Sequence, residues 1–172
     1  MGKEWNHTED MDKVSNHVEE NVPAAASAEN KNDYFMSKEF FEKVLRYRRL
    51  EGTAASYMGI EMTEVGPGWA KGELEFKEYH VNPIGSVHGG VIFFLADSVG
   101  GTAASSRGSR VTTANGNIYY LNAAMNPEKL VAEAVELKVG KNLLTYDVYI
   151  RTETGKLVAK ATMEYFSLHK EI

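Results

Sequence analysis

The stretch Val91-Ile92-Phe93-Phe94-Leu95-Ala96-Asp97-Ser98-Val99-Gly100-Gly101-Thr102-Ala103-Ala104 limits what this chain can fold into more than any other. Its residues are apolar or small whichever way a helix is turned, and a helix that is apolar all round is a buried one. No apolar run approaches the ~18 residues of a bilayer span, so the stretch reads as the core of a folded domain. Gly100, Gly101, Ala103 and Ala104 take up little volume. They make sense where a sheet wraps closely against the helix, which is expected over about residues 88–106.

The flanking sequence supplies that sheet. Residues 58–65 and 69–77 read as strands around the turn Gly66-Pro67-Gly68, and four more strand-like runs follow at 113–122, 130–139, 143–152 and 157–169. In the last two, Tyr146, Val148 and Ile150 alternate to one face, as do Leu157, Ala159, Ala161, Met163 and Tyr165. Gly140-Lys141-Asn142 and Glu153-Thr154-Gly155-Lys156 have hairpin-turn composition. An amphipathic helix is expected from Tyr34 to about Leu50, with Ser37 as its cap. Helix, two strands, long helix, four strands is the order of an α+β domain with an antiparallel sheet and one buried helix.

Residues 1–33 differ in texture. They hold eight acids and three bases, a net of −5 that equals the formal charge of the whole chain. They read as an acidic, flexible extension on a domain spanning 34–172. The body is then neutral, which leaves no electrostatic footprint for nucleic acid. The polar, acidic start is unlike a signal peptide, and the expectation is a soluble cytoplasmic protein with no membrane partner. The absence of cysteine excludes thiolate metal sites and thiol nucleophiles. His7, His17, His80, His88 and His169 show no metal-ligand spacing, so no metal is expected.

Two features carry chemistry. Asp97 is the one ionisable residue of the apolar stretch, too far from the helix start to gain from capping or the dipole. From chemistry alone it is either a structural carboxylate satisfied by an amide or hydroxyl, or a catalytic one. His88-Gly89-Gly90 opens the same helix. It is either a tight turn that uses glycine's freedom, or a set of outward amides ready for an oxyanion.

The run Asn82-Pro83-Ile84-Gly85-Ser86-Val87-His88-Gly89-Gly90-Val91-Ile92-Phe93-Phe94-Leu95-Ala96-Asp97 resembles the signature of PaaI-like acyl-CoA thioesterases of the hotdog fold. The likeness continues at Thr113, at Asn117-Ile118-Tyr119-Tyr120-Leu121 and at Gly155-Lys156-Leu157-Val158-Ala159, and it covers about residues 40–168. It implies a curved antiparallel sheet wrapped around a long central helix, two chains joining their sheets into a homodimer, and pairing of dimers into a homotetramer. By the same resemblance Gly89 offers its N–H to the thioester carbonyl and Asn82 orients nucleophile or carbonyl. His88 supports the turn, Asp97 is base or nucleophile, and Thr113 places a hydroxyl near the attacking water. Asp97 is thereby read as catalytic, with no cofactor beyond the CoA of the substrate. Two departures stand out: Asn122-Ala123-Ala124-Met125 replaces the family's usual residues after the Tyr-Leu pair, and the acidic extension lies outside the pattern.

Gly90, Phe93 and Phe94 are candidate substrate contacts, with Tyr119 and Tyr120 as further wall residues for an aromatic or medium-chain acyl group. Arg107 and Lys141 are either contacts for the CoA phosphates or solvated charges. Helix geometry adds one constraint. Gly89 and Asp97 are separated by about 12 Å of helical rise, whereas a reacting carbon must lie about 3 Å from both nucleophile and donor. The simplest arrangement pairs Gly89 of one chain with Asp97 of another, giving two composite sites per dimer. Two rival functions use the same fold: a non-catalytic acyl-CoA-binding protein, and a hydratase or dehydratase. The acidic extension, with no helix-turn-helix pattern, argues against the first; the second typically depends on a His with an acid at another spacing.

Overall fold

The computed structural model describes residues 37–172; the acidic extension and the start of the expected first helix at Tyr34 lie outside the described residues. Helix α1 is Lys38–Arg48, and Ser37 caps it as expected, its hydroxyl accepting from Phe40 N at 3.3 Å. A short helix α2, Ala54–Tyr57, follows, and then β1 (Ile60–Gly66) and β2 (Trp69–Glu75). A 3₁₀ turn at Glu78–His80 leads to the long helix α3, Gly89–Ser105. The chain ends with β3 (Ser109–Tyr120), β4 (Lys129–Val139), β5 (Leu143–Thr152) and β6 (Leu157–Glu171). Beside the expected order, α2 and the 3₁₀ turn are additions. Thr53 caps α2 through its hydroxyl, a four-residue signal too short for apolar periodicity to show.

The strands form one antiparallel sheet in the order β1-β2-β4-β5-β6-β3, and α3 touches all six of them. Strand β3 begins at Ser109, earlier than the expected residue 113, because the long β6 extends far enough to pair with it. Register shifts in the β3–β6 ladder fall between Ser109 and Val111 and between Thr113 and Asn115. Strand β3 lies at the edge of the sheet with most of its residues exposed.

The inward positions are the expected ones. Tyr146, Val148, Ile150, Ala159, Ala161, Met163 and Tyr165 are buried together with Leu95, Val99 and Ala103 of the helix. Much of the sheet surface under α3 is small: Ala70, Gly72, Ala132, Ala134, Ala159 and Ala161. One expectation is corrected. α3 is not enclosed on every side by this chain, since Gly90 is exposed and Phe93, Phe94, Asp97 and Ser98 are half-buried. These positions recur at i, i+3, i+4 and i+7, a stripe along one face that the sheet does not cover.

Among the described residues, no helix is long and apolar enough to cross a membrane. The close seat of α3 makes a direct prediction. A Cβ at Gly72 would lie 2.7 Å from Val99 Cγ2 and 3.0 Å from Glu61 O, a stiff branched side chain and a main-chain atom. Gly72→Ala should therefore destabilise the fold by about 1–3 kcal/mol, read as a lower denaturation midpoint in urea with unchanged slope.

Candidate active site

The loop before α3 is organised by its own polar groups. Asn82 Oδ1 accepts from the N–H groups of Ile84 and Ser86, both at 3.1 Å, while Asn82 Nδ2 donates to Ser86 Oγ at 2.8 Å. Gly85 follows with a φ of +84°, a left-handed turn that glycine adopts without strain. Val87 N then donates to Ala124 O at 3.0 Å and His88 N to His80 O at 2.7 Å. Asn82 thus spends most of its hydrogen bonds on shaping the loop, and one Nδ2 hydrogen is left over.

His80 is the floor of this loop. It is fully buried, its Nδ1 accepts from Lys77 N at 3.1 Å, and so the proton sits on Nε2, which meets Met58 O at 3.1 Å. Burial holds its pKa below the ordinary histidine value, with the Lys77 charge adding to that and the Met58 bond opposing it. His88 has the extended backbone of an N-cap, with φ −62° and ψ 133°, and its Nδ1 accepts from Gly90 N at 2.9 Å. The Gly90 N–H is therefore used by the cap. Gly89 N–H is different, having no acceptor among the described residues, as expected for a first-turn amide.

Gly89 lines a cavity of about 330 Å³ together with Asn82, Ser86, Ile92, Tyr120 and Leu121. Tyr120 Oη donates to Gly89 O at 2.8 Å, and its ring lies so close that a Cβ at Gly89 would come within 3.1 Å of it. Burial pushes the Tyr120 hydroxyl above its usual pKa, which keeps it a donor. The segment after Leu121, where the sequence departs from the family pattern, lines the same cavity through Asn122, Ala123 and Ala124. It is tied to β6 by Asn122 Nδ2, which donates to Leu157 O at 2.9 Å.

Two turns along α3, on its uncovered stripe, Asp97 Oδ1 accepts from Thr113 Oγ1 at 2.7 Å. The fold therefore brings this sequence-predicted pair together. Behind them the buried Tyr165 donates from Oη to the main-chain Asp97 O at 2.9 Å. Of the other candidates, Phe93 stands against Gly116 of β3, and Phe94 packs on the core. Arg107 lies just beyond α3 with Nε 2.6 Å from Glu136 Oε2, and Lys141 is exposed in the β4–β5 turn. Neither lines the Gly89 cavity. Sequence reasoning missed the grip of Tyr120 on Gly89 and that of Tyr165 on Asp97, because each joins residues far apart in the chain. Among the described residues, no three His, Asp or Glu side chains form a group that could hold a metal.

The His80 bonds set a pH dependence. Its folded pKa lies below the unfolded value, so the unfolded chain binds the extra proton more readily, and stability rises with pH through that window. Thermal unfolding should occur at lower temperature at pH 5.5 than at pH 7.5. His80→Gln, unable to take up a proton, should unfold earlier at both pH values and show a flatter pH dependence.

Comparison with known proteins places this geometry among its relatives. The family model described as the thioesterase superfamily matches residues 84–159, from the loop through α3 and into β6. A relative in Archaeoglobus fulgidus, an esterase by name, is 32% identical over 76% of this chain and 84% of its own length. Human acyl-coenzyme A thioesterase 13 is 34% identical over 59% of this chain and 74% of its own. Among solved structures, the E. coli PaaI protein from the phenylacetic acid degradation operon superposes with a TM-score of 0.71 at 25% identity, covering 77% of this chain and 99% of that one. A Streptococcus mutans protein bound to acetyl CoA gives a TM-score of 0.66 at 25% identity, covering 72% of this chain and 99% of the other.

Proposed function

The chain belongs to the thioesterase superfamily, in its PaaI-like hotdog branch, and from that premise we propose that it hydrolyses an acyl-CoA thioester to the free acid and CoA. The observation that carries this reading is the 2.7 Å bond from Thr113 Oγ1 to Asp97 Oδ1 on the open stripe of α3. With one carboxylate oxygen held, the other is left to take a proton from water, and the Thr113 oxygen has lone pairs to hold that water. The relative that acts on acyl-coenzyme A by name and the neighbour bound to acetyl CoA support the substrate class.

In this mechanism Asp97 removes a proton from water as the water oxygen attacks the thioester carbon. The carbonyl oxygen gains negative charge and accepts a hydrogen bond from Gly89 N–H at the positive end of α3. Collapse of the tetrahedral intermediate breaks the carbon–sulfur bond and releases CoA, which takes up the proton. Asn82 offers its remaining Nδ2 hydrogen from the cavity wall, and His88 keeps the first turn open. Ile92, Tyr120 and Leu121 give the cavity an apolar wall suited to an apolar acyl group, aromatic or medium-chain. Asp97→Asn should lower kcat by about 10²- to 10⁴-fold across a panel of acyl-CoAs, with a smaller loss for Thr113→Val. Hydrolysis by Asp97→Asn at the parental rate would sink the assignment.

The catalytic unit in this reading is a homodimer. About 12 Å of helix separates Gly89 from Asp97 in one chain, too far for one thioester carbon to meet both. The exposed edge strand β3 and the uncovered stripe of α3 are the surfaces available to a second copy. A mixing experiment tests this. Gly89→Pro deletes the donor at the first helical position, where proline is favoured, and the ψ of 133° at His88 suits a residue preceding proline, while the exposed Tyr120 ring must yield slightly to the new Cβ. Each of Asp97→Asn and Gly89→Pro should be inactive alone. Refolding them together should restore activity, since each mixed dimer holds one intact composite site. No recovery in verified mixed dimers would place both groups in the same chain's site.

A further inference from the structure

Asp97 is held from two sides, and only one of them belongs to the proposed chemistry. Thr113 of β3 binds its carboxylate, whereas Tyr165 of β6 binds its main-chain carbonyl. Thr113 and Tyr165 are direct cross-strand partners in the β3–β6 ladder. Neighbouring positions of one sheet thus grip both ends of a single helical residue.

The approach of Tyr165 depends on a missing side chain. A Cβ at Gly100 would collide with Tyr165 Oη, and one at Gly101 would lie 3.2 Å from the Arg48 guanidinium. Arg48 Nη2 in turn donates to Gly101 O and to Ser105 Oγ at 2.5 and 2.6 Å. Residues 97, 101 and 105 are spaced by four, so these bonds run down one face of α3 and fix its rotation and its height above the sheet. Tyr165 is 1% exposed, and burial first, then the Asp97 charge, holds its hydroxyl well above the usual pKa. It therefore remains a donor. Tyr165 and Arg48 both lie outside residues 84–159, the part matched by the family model.

We propose that Tyr165 is a positioning residue for Asp97: by pinning the Asp97 carbonyl at the bare surface of Gly100, it sets the rotation of α3 that delivers the carboxylate to its cross-strand partner Thr113. Arg48 locks the following turn in the same rotation. This rests on the reading of Asp97 as the base.

The test is steady-state kinetics on Tyr165→Phe, with Tyr146→Phe as the control. Tyr146 is a buried tyrosine whose ring is 6.1 Å from that of Tyr165, and its hydroxyl faces Glu136 instead. Tyr165→Phe should lower kcat roughly ten-fold with KM within about two-fold, a misplacement effect. Tyr146→Phe should leave kcat unchanged. The double variant Tyr165→Phe with Thr113→Val should lose less than the product of the single losses, because both act through one carboxylate. Gly100→Ala, which keeps the hydroxyl but displaces it, should show the same kcat-selective loss and decides the matter if Tyr165→Phe fails to fold. An unchanged kcat in Tyr165→Phe overturns the proposal. So does an equal loss in Tyr146→Phe, or multiplicative losses in the double variant. Asp97→Asn run alongside separates the two levels: parental activity there defeats the proposed function, whereas its collapse with an unaffected Tyr165→Phe defeats this inference alone.

Discussion

Where α3 meets the sheet, both surfaces are built from small residues, and the distances at the site follow from that closeness. Ala70, Gly72, Ala132, Ala134, Ala159 and Ala161 on the sheet face a helix that narrows to Gly100, Gly101, Ala103 and Ala104. Such a contact removes less apolar area per residue than a leucine interface, but it lets main chain approach main chain. Larger residues, among them Leu95, Leu130, Tyr146 and Met163, are fully buried in the same core. A helix seated this low can be reached by polar side chains from the sheet. That is how a threonine on β3 and a tyrosine on β6 come to hold one aspartate.

The start and the middle of α3 then take on different chemistry for different reasons. At its start the orphan amides of any helix are divided up. His88 takes the Gly90 N–H, and Gly89 N–H is left facing no acceptor among the described residues. Two turns on, the stripe bearing Asp97 is the part of the helix that the sheet leaves open. The carboxylate there is half-buried, and the Thr113 hydroxyl satisfies one of its oxygens. The loop of Asn82 and the buried His80 hold the start of the helix, while Tyr165 and Arg48 hold its middle turns.

Much of this was legible in the sequence. The apolar stretch, the hairpin turns and the alternation in β5 and β6 are local signals, and the strands lie close to where those signals put them. Thr113 could be associated with Asp97 through family resemblance, and the geometry joins them. What stayed hidden is non-local. Tyr165 is one more apolar residue in an alternating run until its hydroxyl meets Asp97 O, 68 positions away. Arg107 reads as a CoA-phosphate contact or a solvated charge, and nothing local to it announces the Glu136 that the fold brings to it. The helix looked enclosed because its uncovered stripe is built around Gly90, Phe93 and Phe94, residues that composition alone cannot tell from core, with Asp97 and Ser98 as its polar members. Asn82 shows the same limit at short range, since its side chain serves its own loop before any substrate.

The two register shifts in the β3–β6 ladder bear on how this chain tolerates insertions and deletions. Between them lies a short reading frame, in which Val111, Thr112 and Thr113 face Ser167, Phe166 and Tyr165. Side chains alternate along a strand, so losing one residue inside that frame would turn Thr112 or Ala114 toward Asp97 and send the proper hydroxyl to the other face. The irregularities on either side are places where the ladder has already absorbed a change of count. A length change beyond them can be taken up without moving the frame. For a lineage of such proteins, the bulges separate the strand into a part whose length can drift and a three-residue part whose phase is held by the chemistry it carries.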